Sequence, residues 1–246
     1  MIAVYGRWSF VSAPGLENRP PLRGQRLSSV GESAALAGVG GALDAFTYLG
    51  HGHVFANAMT GNVVLLGLNA VQGEWRQALH HLLPILSFVL GITTAKAIDL
   101  RLVSGRIRNP DLAVLNLEIA VFAVLGCLPA SAPDLLITMS VAFAASLQTA
   151  SFRNVEGRSY NSTFTTGNLR TLSEDAFVWL AGKRAAALRR LAQVFAIICG
   201  TFLLGILAGG LITPFLYNRT LWPVCAVLLV LRRRLAGPRE KLAGGI

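Results

Sequence analysis

Charge is scarce in this sequence: Asp, Glu, Lys and Arg make up 14% of 246 residues, against 53% hydrophobic. A soluble domain carries about 25% charged residues, so water is excluded as the main solvent of the fold. Acidic residues are scarcer still, 12 against 22 basic, for a net charge of +10 and a pI near 10.5. That balance can signal nucleic acid. Here the arginines fall in short runs between apolar blocks and not along one face, which excludes a nucleic-acid partner and fits membrane topology. Cysteine is rare too. Cys127, Cys199 and Cys225 lie in or beside apolar segments with no paired or metal-ligand spacing. A disulfide framework and a thiolate metal site are therefore excluded, leaving small packing residues. No apolar run long enough for a signal-peptide core precedes the first long apolar block. Residues 1–32, with Pro14, Pro20, Pro21 and four arginines, are expected to form a disordered basic cytoplasmic tail.

What is present is a series of apolar blocks near 20 residues long, the length an α-helix needs to cross a hydrocarbon core of about 30 Å. Mean hydropathy is +0.56. A soluble core would show amphipathic stripes instead. Six blocks qualify as transmembrane helices: about Ser33 to Leu49, Leu79 to Ile98, Leu112 to Leu128, Leu135 to Ser151, Leu191 to Ile212, and the short Leu221 to Leu231. The last ends at Arg232, Arg233 and Arg234, which can snorkel, while Trp222 can anchor its other end.

Two further segments contain the same tripeptide, Thr60-Gly61-Asn62 and Thr166-Gly167-Asn168, each with an apolar span before it, one after it, and one more closing the half. The chain reads as a duplicated unit. Lys and Arg in the connections set the orientation, because positive residues stay on the cytoplasmic side. Arg101, Arg106, Arg108, Lys183, Arg184, Arg189, Arg190, Arg232 to Arg234, Arg239 and Lys241 fall on one side, and Arg76 and Arg219 on the other. Both termini are then cytoplasmic, provided neither Thr-Gly-Asn segment crosses completely. A crossing by the second would put Arg170, Glu174 and Asp175 in hydrocarbon. A crossing by Val54 to Val71 would put the N-terminal arginines outside.

The expected fold is therefore an all-α membrane protein of about six transmembrane helices plus two short re-entrant or broken Thr-Gly-Asn helices. Three spans per half is an odd number, so the halves insert with opposite orientation, as an inverted-topology repeat. One transmembrane domain, 33–231, would comprise halves of about 33–128 and 133–231, followed by a basic cytoplasmic tail at 232–246.

Three stretches, Gly40-Gly41-Ala42-Leu43-Asp44-Ala45-Phe46, Met59-Thr60-Gly61-Asn62-Val63, and Gln148 through Thr166-Gly167-Asn168-Leu169, resemble the YoaK-like family of bacterial multi-span membrane proteins. The resemblance covers roughly Ala34 to Ile212 and departs in the long arginine-bearing N-terminal tail and the polar stretch Arg153 to Tyr160. It implies a bacterial cytoplasmic-membrane location and about six spans. No substrate, cofactor or catalytic residue comes with it.

The candidate solute-binding residues are Asp44, Thr60, Gly61, Asn62, Thr166, Gly167 and Asn168. Thr can cap a helix start, Gly admits a close neighbour, and Asn offers donor and acceptor. Two half-helices starting near the midplane from opposite sides would aim positive dipole ends at one place, suited to a small polar or anionic solute. The plainer alternative is that the motifs only cap and pack broken helices. Asp44 and Glu118 are candidate coupling sites, because a carboxylate in mid-span needs a partner or water. For Glu118 a protonated or hydrogen-bonded carboxyl holding neighbouring helices is the stronger reading. Lys96 and Asp99 sit near a span end, where Lys can snorkel. His51, His53, His80 and His81 fall at one face, but no clear first shell completes a metal site, and neither metal nor cofactor is expected. Gly91, Gly200, Gly205, Gly209 and Gly210 offer surfaces for close helix packing. The leading function is a channel or secondary transporter with the lipid bilayer as its partner. A non-transporting scaffold is the main alternative, and a membrane-embedded enzyme around Asp44 and the histidines comes after it.

Overall fold

The computed structural model describes residues 29–100, 107, 109–182 and 186–236. Most of the expected N-terminal tail and most of the C-terminal one lie outside these residues, as do Arg101, Arg106, Arg108, Lys183 and Arg184. Within them the regular secondary structure is helical, apart from a hairpin of two-residue strands pairing Asn154–Val155 with Arg158–Ser159. The helices are α1 (Val30–Gly50), α2 (Met59–Val71), α3 (Trp75–Asp99), α4 (Pro110–Gly126), α5 (Asp134–Ser151), α6 (Thr166–Leu180), α7 (Ala186–Leu216) and α8 (Leu221–Ala236).

Local chemistry sets several of these limits. Ser29 and Glu32 form a reciprocal capping box at the start of α1, satisfying two otherwise orphaned N–H groups. The helix thus takes in the last three residues of the expected N-terminal tail. Asn109 caps α4 ahead of Pro110 at its first position, where a missing N–H has no consequence. Between α7 and α8 a single 3₁₀ turn, Tyr217–Thr220, carries Tyr217 at φ 49°. At the other end, α8 continues through Arg232, Arg233 and Arg234 to Ala236, so those arginines belong to the helix and not to a tail starting at residue 232.

Among the described residues, two stretches are long and apolar enough on their own to cross a membrane: Trp75–Asp99, and the run Ala186–Ala236 that contains α7 and α8. The remaining expected spans are α1, of modest hydropathy, and the shorter α4 and α5. With 13 and 15 residues, α2 and α6 reach about 20 and 22 Å, short of a hydrocarbon core of about 30 Å.

Packing follows glycine. In a lipid solvent, apolar burial does not drive helices together, and close backbone approach at small residues takes over. α1 packs along α7. A Cβ at Gly209 would come within 2.7 Å of the Ala42 carbonyl oxygen, and Cβ atoms at Gly41 or Gly205 would run into the backbone of Phe202 or Gly38. α3 packs on α5 in the same manner, since a Cβ at Gly91 would collide with Ser146 and the Phe143 carbonyl. Gly200 has open space and Gly210 meets only the Leu49 side chain at 3.5 Å, so of the five glycines expected to mediate packing, Gly91, Gly205 and Gly209 do so.

The contacts also give directions. Gly38 meets Thr201 and Gly205, Ala42 meets Gly209, and Gly50 meets Thr213, so α1 and α7 run the same way. Trp222 donates to the Gly126 carbonyl at 3.2 Å, while Arg232 bonds Asn116, so α4 and α8 run in opposite directions. The largest apolar core, with Leu43, Phe46, Leu115, Phe122, Val141 and Leu228, lies among α1, α4, α5 and α8.

Candidate functional site

The chain leaves α1 at His51 and returns along it before α2 begins. Asn57 makes that return specific. Its backbone N–H donates to Asp44 Oδ1 at 2.8 Å and its Nδ2 to the Gly40 carbonyl at 3.0 Å. The backbone of Ala56 and Ala58 also hydrogen-bonds the same carboxyl. Asp44 is 5% exposed, so these bonds replace water that a carboxylate would otherwise need.

The second loop reaches the same stretch of α1. A Cβ at Gly40 would stand 2.7 Å from the Ser162 carbonyl oxygen; only glycine admits the loop there. Gln148 of α5 secures it, donating to Ser162 Oγ at 2.9 Å and to the Leu36 carbonyl at 3.2 Å. The hydroxyls of Thr149 and Thr163 share a bond of 2.8 Å.

Between the loops, α1 and α7 lies a cavity of about 560 Å³, lined by Asp44, Tyr48, Phe55, Ala58, Phe164, Thr165 and Thr166 together with Phe202, Ile206 and further apolar residues of α7. Ala58 and Thr165 are the residues immediately before α2 and α6. Both short helices therefore begin at this cavity. Tyr48 and Phe55 stack with ring centroids 4.7 Å apart to form one wall, and their rings are large apolar surfaces of fixed geometry.

A family model described as "Protein of unknown function (DUF1275)" matches residues 33–232. The chain belongs to this family. It is also similar to the UPF0700 transmembrane protein YoaK of Bacillus subtilis (strain 168), at 26% identity over 218 residues, covering 81% of this chain and 92% of that one. No solved structure matches. The similarity to YoaK and the apolar helices make this a membrane protein, and the YoaK-like resemblance read from its motifs is the right family.

Within this member of the family, the Thr-Gly-Asn residues take distinct places. Asn62 is fully buried and closes a ring with Phe55, accepting from its N–H at 2.9 Å and donating to its carbonyl at 2.7 Å. Asn168 does the same with Asn161, at 3.1 and 2.6 Å. Each asparagine holds the backbone seven residues earlier. Thr60 caps nothing: α2 starts at Met59, after Ala58, and α6 starts with Thr166 itself, in both cases with no side-chain cap. The expectation that threonine caps the helix start is corrected, because the backbone ring made by the asparagine already orders that turn. Gly61 admits the Phe55 ring, two of whose atoms would stand 2.9 Å from an added Cβ. Gly167 meets only Asn161 Nδ2 at 3.7 Å. Of the motif residues, Thr166 lines the cavity, Asn62, Asn168 and Gly61 hold the loops that frame it, and Thr60 is exposed.

Glu118 lies elsewhere. It is completely buried on α4, and neither carboxyl oxygen has a hydrogen-bond partner among the described residues. Lys96 and Asp99 form a local exposed pair at 2.7 Å. His51 bonds Asp134 at 2.9 Å, a carboxylate that sequence distance concealed. His53 packs edge-on against Tyr48. Among the described residues no group of three or more His, Cys, Asp or Glu side chains is placed to hold a metal ion.

Sequence reasoning missed Asn57, Tyr48, Phe55, Phe164 and Phe202. A signal for the loop residues existed: extending the tripeptide match back to its octets aligns Phe55-Ala56-Asn57 with Asn161-Ser162-Thr163.

Proposed function

We propose that this protein is a six-span secondary transporter or channel, built as an inverted repeat of α1–α4 and α5–α8, with its solute site in the cavity beside Asp44. The observation that carries the reading is that α2 and α6, both too short to cross, begin at one cavity beside a buried carboxylate. Such convergence of half-helix starts is how transporters with internal repeats bind solute near the midplane.

The helix directions support it. Alternating crossings by α1, α3, α4, α5, α7 and α8 require α1 and α7 to be parallel and α4 and α8 antiparallel, as their contacts have them. The ring from Asn62 to Phe55 and that from Asn168 to Asn161 are matching features of the two halves. With both termini cytoplasmic in a bacterial inner membrane, Arg189, Arg190 and Arg232 to Arg234 are inside, as the charge rule requires. Of the two solute classes the sequence suggested, polar is favoured over anionic. The backbone groups leading into α2 already bind a carboxylate, that of Asp44.

The test is flux through purified full-length protein in liposomes, against empty liposomes, across inorganic anions, neutral polar solutes and organic cations. Wild-type protein is expected to pass at least one class, and Asp44→Asn to lower that flux by about tenfold or more, the effect of about 1.4 kcal/mol. No flux for any solute would favour the scaffold reading.

A further inference from the structure

We infer that the cavity beside Asp44 binds an amphiphilic organic cation, whose charged group faces Asp44 and whose apolar body lies against Tyr48, Phe55, Phe164 and Phe202. The inference rests on the solute site proposed above and names the class of molecule it takes.

Among the described residues lining the cavity, Asp44 is the one acidic residue, and no Lys, Arg or His stands with it. An anion would meet like charge without a cationic partner. Nor does the α2 start compensate, since its approach is bonded to Asp44. A buried carboxylate in low dielectric instead attracts a positive group strongly.

Size and lining exclude a bare inorganic cation as the fitting occupant. About 560 Å³ is in the range of sites for drug-sized molecules, about 300–1,000 Å³. A metal or ammonium ion would leave most of the apolar wall facing nothing. The aromatic rings fit the remaining requirement, because a ring face attracts cations and its area covers an apolar body. Ring positions are fixed from behind: Asn62 bonds the Phe55 backbone, Gly61 leaves room for its ring, and Tyr48 stacks on it.

The flank of the cavity points to the route. Leu49, Leu207 and Leu211 border it with 56, 53 and 70% of their surfaces uncovered by the protein. In a membrane, uncovered leucines of a spanning helix face lipid. A cation with an apolar body partitions into that lipid and enters sideways, whereas a hydrophilic ion does not.

The matched pair tetraphenylphosphonium and tetraphenylborate, alike in size and shape and opposite in charge, tests this on the purified full chain in nanodiscs, by equilibrium dialysis against empty nanodiscs. Saturable binding of the phosphonium, at least tenfold tighter than any binding of the borate, is expected. Asp44→Asn keeps an oxygen for the Asn57 N–H and should weaken phosphonium binding about tenfold. Phe164→Leu leaves Asp44 untouched and should weaken it about threefold to fivefold. Equal binding of both ions, or tighter binding of the borate, overturns the inference. So does phosphonium binding indifferent to both substitutions, which would mark the cavity as a seat for lipid chains. Phosphonium binding without flux would retain this inference and remove the transport reading; flux of an anion with no phosphonium binding would do the reverse.

Discussion

At the first Thr-Gly-Asn junction, Asn62 holds Phe55 while Asn57 reaches back to Asp44 and Gly40 of α1; at the second, Asn168 holds Asn161 while Gln148 and Thr149 of α5 reach forward to Ser162 and Thr163. The asparagine ring is common to both. What differs is the group on the preceding helix: a carboxylate in one half and a neutral amide in the other. The repeated motif therefore supplies a rigid frame, and the unrepeated residue supplies the charge. Both helix pairs also meet at glycine, through Gly205 and Gly209 against α1 and through Gly91 against α5.

The largest effect should come from breaking those crossings. Gly205→Val and Gly91→Val each force a branched side chain into opposing backbone. Each is expected to cost about 3 kcal/mol or more, seen as loss of monodisperse protein and a lowered Tm in detergent. Gly200→Val, in open space, should change stability by less than about 0.5 kcal/mol. An unaffected Gly91→Val would show that the two halves are not held alike.

Next come the asparagine rings. Asn62→Ala and Asn168→Ala each strip two bonds from half-buried backbone and should each cost about 2 kcal/mol by thermal or denaturant unfolding. The comparison demands similar losses, and a loss confined to one would break it. The smallest effect sharpens the difference between the motif glycines. Gly167→Ala meets only ordinary contact and should gain about 0.5–1 kcal/mol from helix propensity. Gly61→Ala must move the Phe55 ring, so that gain should be cancelled or reversed. An equal gain at both sites would show that Gly61 does not set the ring.

Much of the frame was legible beforehand. The apolar blocks marked α3 and α7 because length and hydropathy are local properties, and the doubled tripeptide located both short helices because both tripeptides sit in the same kind of turn. The cavity was harder to see. Asp44 stood out as a mid-helix carboxylate, but Asn57 is an ordinary loop residue until it is known that the loop folds back onto Gly40. Phe164 and Phe202 are two aromatics among many until α7 lies against α1. The sequence groups His51 with three other histidines at one face but gives it no carboxylate, because Asp134 is 83 residues away. Thr60 was assigned a cap because threonine commonly caps, whereas here the asparagine two residues later orders the turn.

By itself the sequence determined the solvent, the helical class, the family and the positions of the two short helices. Each follows from composition or from residues close along the chain. Only the tertiary structure decided that both short helices begin at one cavity, that Asp44 is bonded by the loop ahead of α2, and that the cavity walls are aromatic. Those facts depend on which glycines meet which backbones across long stretches of chain, and no local pattern encodes that pairing.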